Sequence, residues 1–162
     1  MKVYIDSNVP AYAGGAGDAT PPMRRASRRL LRLARRRRIE AVTSLVTILD
    51  LERTPARKTR RRSLRWLTTG RVKTLPEDAA GEAVDLAQKY LGAGVVPPKK
   101  LFDALHLAWG SLAGAEVFVS RNRADLVRLK TRTLVNTINR QMGLLPLAVE
   151  LPDEVLREIE GH

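Results

Sequence analysis

Short apolar runs alternate with longer amphipathic stretches along this chain, and the alternation predicts strands and helices taking turns. Val3, Tyr4 and Ile5 form a run without polar interruption, which suits a strand buried on both faces, and it stops abruptly at Asp6, Ser7 and Asn8. Ile39 to Thr43, Val72 to Leu75 and Val117 to Val119 read as further strands, with an edge strand around Leu147 to Val149. Thr20 caps a helix opened by Pro21 and Pro22, in which Met23, Ala26, Leu30, Leu33 and Ala34 keep one apolar face among arginines up to the run Arg35 to Arg38. Ser44 caps an apolar helix through Leu51, with Pro55 beyond it; Pro76 opens another with Ala80, Ala83, Val84, Ala87 and Leu91 on its inner face. A strongly apolar helix spans Leu101 to Leu112. Ala124 to Leu129 reads as a short helix, the stretch around Leu134 to Met142 as a longer one, and Asp153 to Glu160 as a helical tail. Ala13 to Ala19 reads as a loop, and Arg57 to Arg65 as a basic stretch leading to Trp66 and Leu67.

Strands alternating with helices imply βαβ units, and hence a three-layer α/β/α domain around a central, mostly parallel sheet. The expected organisation is one domain over residues 1–150, with residues 151–162 as a helical tail packed on it or extending from it. In such sheets ligands gather beyond the carboxyl ends of the strands, which is where Asp6 falls. Asx chemistry offers a plainer role for Asp6, capping a turn with Ser7 and Asn8.

Composition narrows the partners. Lys and Arg number 29 against 17 Asp and Glu, a formal net charge of +12, which favours a polyanion; nucleic acid is the commonest. Aromatic residues make up only 4%, too few to support a base-stacking sheet. There is no cysteine, which removes disulfides, thiolate metal sites and a catalytic thiol. With no leader-like amino terminus and no apolar stretch of membrane-spanning length, the expectation is a soluble cytoplasmic protein without membrane contact.

Three acids stand where an acid is expensive. Asp6 follows Val3-Tyr4-Ile5, Asp50 lies within Ile48-Leu49-Asp50-Leu51, and Asp103 within Leu101-Phe102-Asp103-Ala104-Leu105. Carboxylates gathered in a partly buried cleft raise one another's pKa and persist mainly where a cation compensates them. The economical cation is a hard divalent ion bound through oxygen, Mg²⁺ or Mn²⁺. Spacing alone does not bring the three together; the fold has to.

Asp6 in Tyr4 to Val9, Asp50 in Ser44 to Leu51, Asp103 in Asp103 to Ala108, and the segment Val117 to Asn122 resemble, in that order, the four motifs of the PIN-domain family. The resemblance covers nearly the whole chain. It implies a PIN-like fold, Mg²⁺- or Mn²⁺-dependent nuclease activity, usually on RNA, kinship with VapC-like toxins held by an antitoxin protein, and a homodimer. Carried over by position, Asp6, Asp50 and Asp103 are catalytic and metal-binding, with Asn122 or Asp125 completing the metal shell. Asp50 stands where the family more often has Glu, and Asn122 where it often has Asp, so the site loses a charge. Ser7, Asn8, Arg121, Arg57, Arg60 and Arg61 are the candidate substrate contacts. His106, one turn beyond Asp103, is within reach of the site, but reads first as a core histidine beside Leu105 and Leu107. Alternatives are a catalytically weak PIN-like module that binds nucleic acid, a protein held by an antitoxin, and a DNA-directed nuclease.

Overall fold

A computed structural model describes residues 1–161. Its centre is β1 (Lys2–Ile5), where Val3, Tyr4 and Ile5 are all buried because both faces of the strand are covered. β2 (Glu40–Thr43) and β4 (Val117–Val119) flank it, and β3 (Lys73–Thr74) and β5 (Ala148–Glu150) form the edges, in the order β3-β2-β1-β4-β5. All pairings are parallel; Val3 stands between Ala41 and Val117, and Tyr4 between Val42 and Phe118.

Alternation along the strands separates two cores. Val3, Ile5, Ala41, Val117 and Val119 pack with α1 (Asn8–Ala13), α2 (Pro21–Arg35) and α8 (Pro152–Ile159). Tyr4, Val42, Phe118 and Val149 face the other core, shared with α5 (Ala80–Gly92), α6 (Leu101–Leu112) and α7 (Leu129–Gln141). α3 (Leu45–Glu52) follows β2, and α4 (Arg57–Thr69) packs on α1. The result is the three-layer α/β/α architecture expected of a PIN-like domain.

Local differences from the sequence reading have physical causes. Asn8–Ala13 is helical, because Pro10 lies in a first turn that needs no N–H from it. Arg57–Thr69 is also a helix, since arginine is a good helix former and Ser63 and Leu67 supply a narrow buried stripe. The expected helix at Ala124 to Leu129 is instead a turn built on Asn122, whose backbone carbonyl accepts from the N–H groups of Leu126 and Val127. The third strand shrinks to Lys73–Thr74. The tail forms α8 against α2, with Glu154 accepting from the Leu151 N–H at 2.8 Å to cap it; His162 lies outside the described residues. Among the described residues, no helix is long and apolar enough to cross a membrane.

The chain builds outward from β1 through β2 to β3, then returns to β4 and β5 on the other side. The sheet order therefore reverses at β1, and the crevice beyond β1 and β4 is the switch point at which doubly wound sheets take ligands.

Candidate active site

Asp6 leaves the carboxyl end of β1 at that switch point and is almost wholly buried. Burying a carboxylate demands donors, and each of its oxygens has them. One accepts from the Ser7 N–H at 2.7 Å, the other from Ser120 Oγ at 2.7 Å and Asn8 Nδ2 at 3.2 Å. Asn8 also donates to Ser120 Oγ at 3.0 Å and accepts from the Arg121 N–H at 2.9 Å, which locks the ends of β1 and β4 together. Ser7 and Asn8 thus spend their side chains on the site's own scaffold. Ser120, inside the fourth motif, was not singled out in the sequence; a lone serine after an apolar strand gives no signal until parallel pairing sets it beside Asp6.

His106 is the larger addition. It is fully buried, as a core histidine would be, yet its Nε2 stands 2.8 Å from Asp50 Oδ2 and 3.4 Å from Asp6 Oδ1, while Nδ1 lies 2.9 Å from the Tyr4 hydroxyl. The Tyr4 hydroxyl reaches Ser44 Oγ at 2.7 Å. Burial alone would strip the imidazole of its proton, but the Tyr4 oxygen and the Asp6 and Asp50 carboxylates outweigh it and hold the ring charged well above its ordinary range. The ring bridges the Asp50 carboxylate to the Tyr4 hydroxyl, and the chain of hydrogen bonds continues from Tyr4 to Ser44. Asp50, half-buried, is pushed up by burial, but the His106 bond and charge, then the Ser7 hydroxyl at 3.0 Å and Arg53, bring its carboxyl below the usual range.

Asp103, in the first turn of α6, has no such cation. Burial first, then the charge of Asp6, raises its pKa to about 6, against partial relief from His106 and Lys100. Asn122 Nδ2 donates to Asp103 Oδ2 at 3.3 Å, and the Asn122 amide oxygen accepts from the Asp125 N–H at 3.1 Å, which fixes the orientation of the amide. The oxygen that Asn122 would offer a metal is therefore engaged in the turn. Asp125 pairs with Lys100 at 3.6 Å and adds to the negative field on Asp103.

The predicted substrate contacts divide. The Arg121 guanidinium is buried, paired with Asp153 at 3.2 Å and donating to the Met23 carbonyl at 3.2 Å, so it ties β4 to α8 and α2 and is not free to meet a substrate. Arg60 folds back onto the Thr54 carbonyl at 3.0 Å. Arg57 and Arg61 line an open groove of about 760 Å³ with Lys58, Arg62, Leu64 and Arg65. That groove shares no lining residue with the carboxylate cluster.

The donor set suits a hard divalent cation: carboxylate oxygens, no thiolate, and an Asp6–Asp103 pair whose crowding a cation would relieve. Among the described residues, no three His, Asp or Glu side chains converge on one point that could hold an ion. Asp6 and Asp103, close enough that one feels the other's charge, are the carboxylates that would hold such an ion, and with so few protein ligands Mg²⁺ would keep several waters.

No protein-family model matches the chain, and no curated protein matches it. Among solved structures, it is similar to a chain of the crystal structure of VapBC2 from Rickettsia felis bound to a DNA fragment from their promoter. The TM-score is 0.55 at 11% identity, over 93% of this chain and 98% of the other. At that identity the likeness is one of fold.

Proposed function

We propose that the chain is a VapC-like PIN-domain ribonuclease, a divalent-metal-dependent hydrolase of RNA phosphodiester bonds centred on Asp6 and Asp103. The observation that carries this reading is the placement of buried Asp6, with Asp103 close enough to feel its charge, at the switch point of the sheet, where His106 and Lys100 compensate the two carboxylates only in part. The fold likeness to VapBC2 supports it.

Bound there, Mg²⁺ or Mn²⁺ would supply charge stabilisation for the phosphoryl oxygens and a water acidic enough to ionise near neutral pH. Asp6 and Asp103 would hold it, with Ser120, Asn8 and the Ser7 N–H keeping Asp6 oriented. Asp50 is held from α3 by His106 and Ser7, both of which also reach Asp6, and serves as the positioned carboxylate that orients or deprotonates the attacking water. Arg57 and Arg61 are the proposed phosphate contacts. The reading includes an antitoxin-type protein partner, a homodimer and action in the cytoplasm; Leu45 and Leu49 on α3 and Leu101 and Phe102 on α6 are the exposed apolar residues suited to a protein interface.

A second reading, a catalytically weak nucleic-acid-binding module, is favoured by one observation: Asn122 brings an amide rather than a charge to Asp103. Phosphate contacts do not distinguish the sugars, so DNA is the alternative substrate. Labelled single-stranded RNA and DNA in Mg²⁺ or Mn²⁺ test all of these. RNA cleavage is expected from the wild type and not from Asp6→Asn or Asp103→Asn. Cutting that survives both substitutions refutes the site, cutting confined to DNA refutes the substrate, and binding without any cutting selects the second reading.

A further inference from the structure

Two arginines occupy backbone conformations that suit glycine. Arg37 at φ 57° and Arg71 at φ 56° are the non-glycine residues of the described chain in the left-handed region. Each follows a helix. After α2, the Arg37 N–H bonds Ala34 O and the Arg38 N–H bonds Leu33 O, both at 2.9 Å; after α4, the Arg71 N–H bonds Thr68 O at 3.1 Å and the Val72 N–H bonds Leu67 O at 3.0 Å. This paired closure usually takes glycine, because a Cβ in left-handed backbone costs about 1 kcal/mol or more. Elsewhere the chain obeys that preference: Gly94, Gly114, Gly143 and Gly161 fill the equivalent position after α5, α6, α7 and α8, with φ between 69° and 77°.

The helix dipole does not account for either exception: α4 has no basic residue in its last turn, but neither has α6, which closes on Gly114. Cations suit the negative end of a helix, but α5, α7 and α8 satisfy it with Lys89, Arg140 and Arg157 in their last turns and still close on glycine. α2 likewise has Arg32 and Arg35 in its last turn, and closes on Arg37 nonetheless. Both arginines precede neighbouring strands, β2 and β3, and two grooves that share Arg71 gather, besides Arg32 stacked on Trp66, six exposed cations: Arg35, Arg36, Arg37, Arg38, Arg71 and Lys73. Among the described residues none of these six cations is in an ion pair, and Glu40 is the acid that lines the surface with them. Because the strands are parallel, this surface lies at the pole where they begin, opposite the one where Asp6 and Ser120 end them.

We infer that this arginine pole is a second nucleic-acid contact, gripping sugar–phosphate backbone away from the carboxylate site. Six cations with no apolar anchor beyond Met1 are poorly suited to a folded protein partner and well suited to a row of phosphates. The inference does not depend on whether the chain cleaves.

The test is the double substitution Arg37→Gly with Arg71→Gly, assayed in EDTA by fluorescence anisotropy with labelled oligouridylate and oligothymidylate over a range of KCl. The variant should melt at or above the wild-type temperature, since strain is relieved, while its affinity at low salt falls roughly tenfold and its salt slope by about 1 per arginine removed. Loss on both polymers means the backbone alone is read; loss on RNA alone means the sugar is read as well. Unchanged affinity and slope on both polymers would overturn the inference and leave the pole to an acidic protein. A lower melting temperature would overturn it too, because it would show that the arginines stabilise the fold where they stand.

Discussion

Asp103 is where the residue scale carries most. Its carboxyl is raised to about 6 from an ordinary value of 3.8, so between those values the folded chain binds a proton that the unfolded chain has lost. The sign follows: stability falls as pH rises through that interval, and above it the charged carboxylate is a standing cost. Asp103→Asn is therefore expected to stabilise the metal-free protein near neutral pH by about 1–2 kcal/mol after allowing for solvent screening, a gain that vanishes below the ordinary carboxylate range. Thermal melts in EDTA across that range check it; an unchanged or lowered melting temperature at neutral pH would contradict it. Asp103 was legible because an acid inside an apolar helix is conspicuous, and so was Asp6. The partnership of His106 with Asp50 was not, because a histidine at helical spacing beside leucines looks the same whether it packs or hydrogen-bonds, and Tyr4, its anchor, reads as one more strand residue.

At the scale of elements, the strands were legible from runs such as Val117 to Val119, whereas the first helix and the arginine-rich fourth were not. Their apolar faces are too narrow to register as periodicity: Ser63 and Leu67 are the buried residues of α4. What holds the two together is closeness of backbone. A Cβ placed on Gly14 would lie 2.8 Å from the Ser63 backbone nitrogen and 3.0 Å from its Cα, a contact that only a shift of one helix relieves. Gly14→Ala is expected to cost about 1–3 kcal/mol and to push α1, which carries Asn8, off the site. Urea denaturation together with RNA cleavage measures both effects. A variant as stable and as active as the wild type would show that α1 and α4 are free to slide.

For the whole molecule, the order β3-β2-β1-β4-β5 joins three motifs that spacing alone left apart. Ser120 reaches Asp6, and Asn122 links Ser120 to Asp103, because β1 and β4 are neighbours and α6 begins at the same edge, a consequence of topology that no local pattern of apolar residues contains. The same topology sends Arg35 to Arg38 to the opposite pole, although in sequence they stand closer to Asp50 than Asp103 does. The account of function thus rests on one pair of carboxylates being a place for a divalent cation. Calorimetric titration of Mn²⁺ into the nucleic-acid-free protein at neutral pH tests this directly, comparing wild type with Asp6→Asn and Asp103→Asn. The account predicts a saturable site in the wild type that both substitutions abolish; a wild type that takes up no Mn²⁺, or a variant that binds it unchanged, would contradict it.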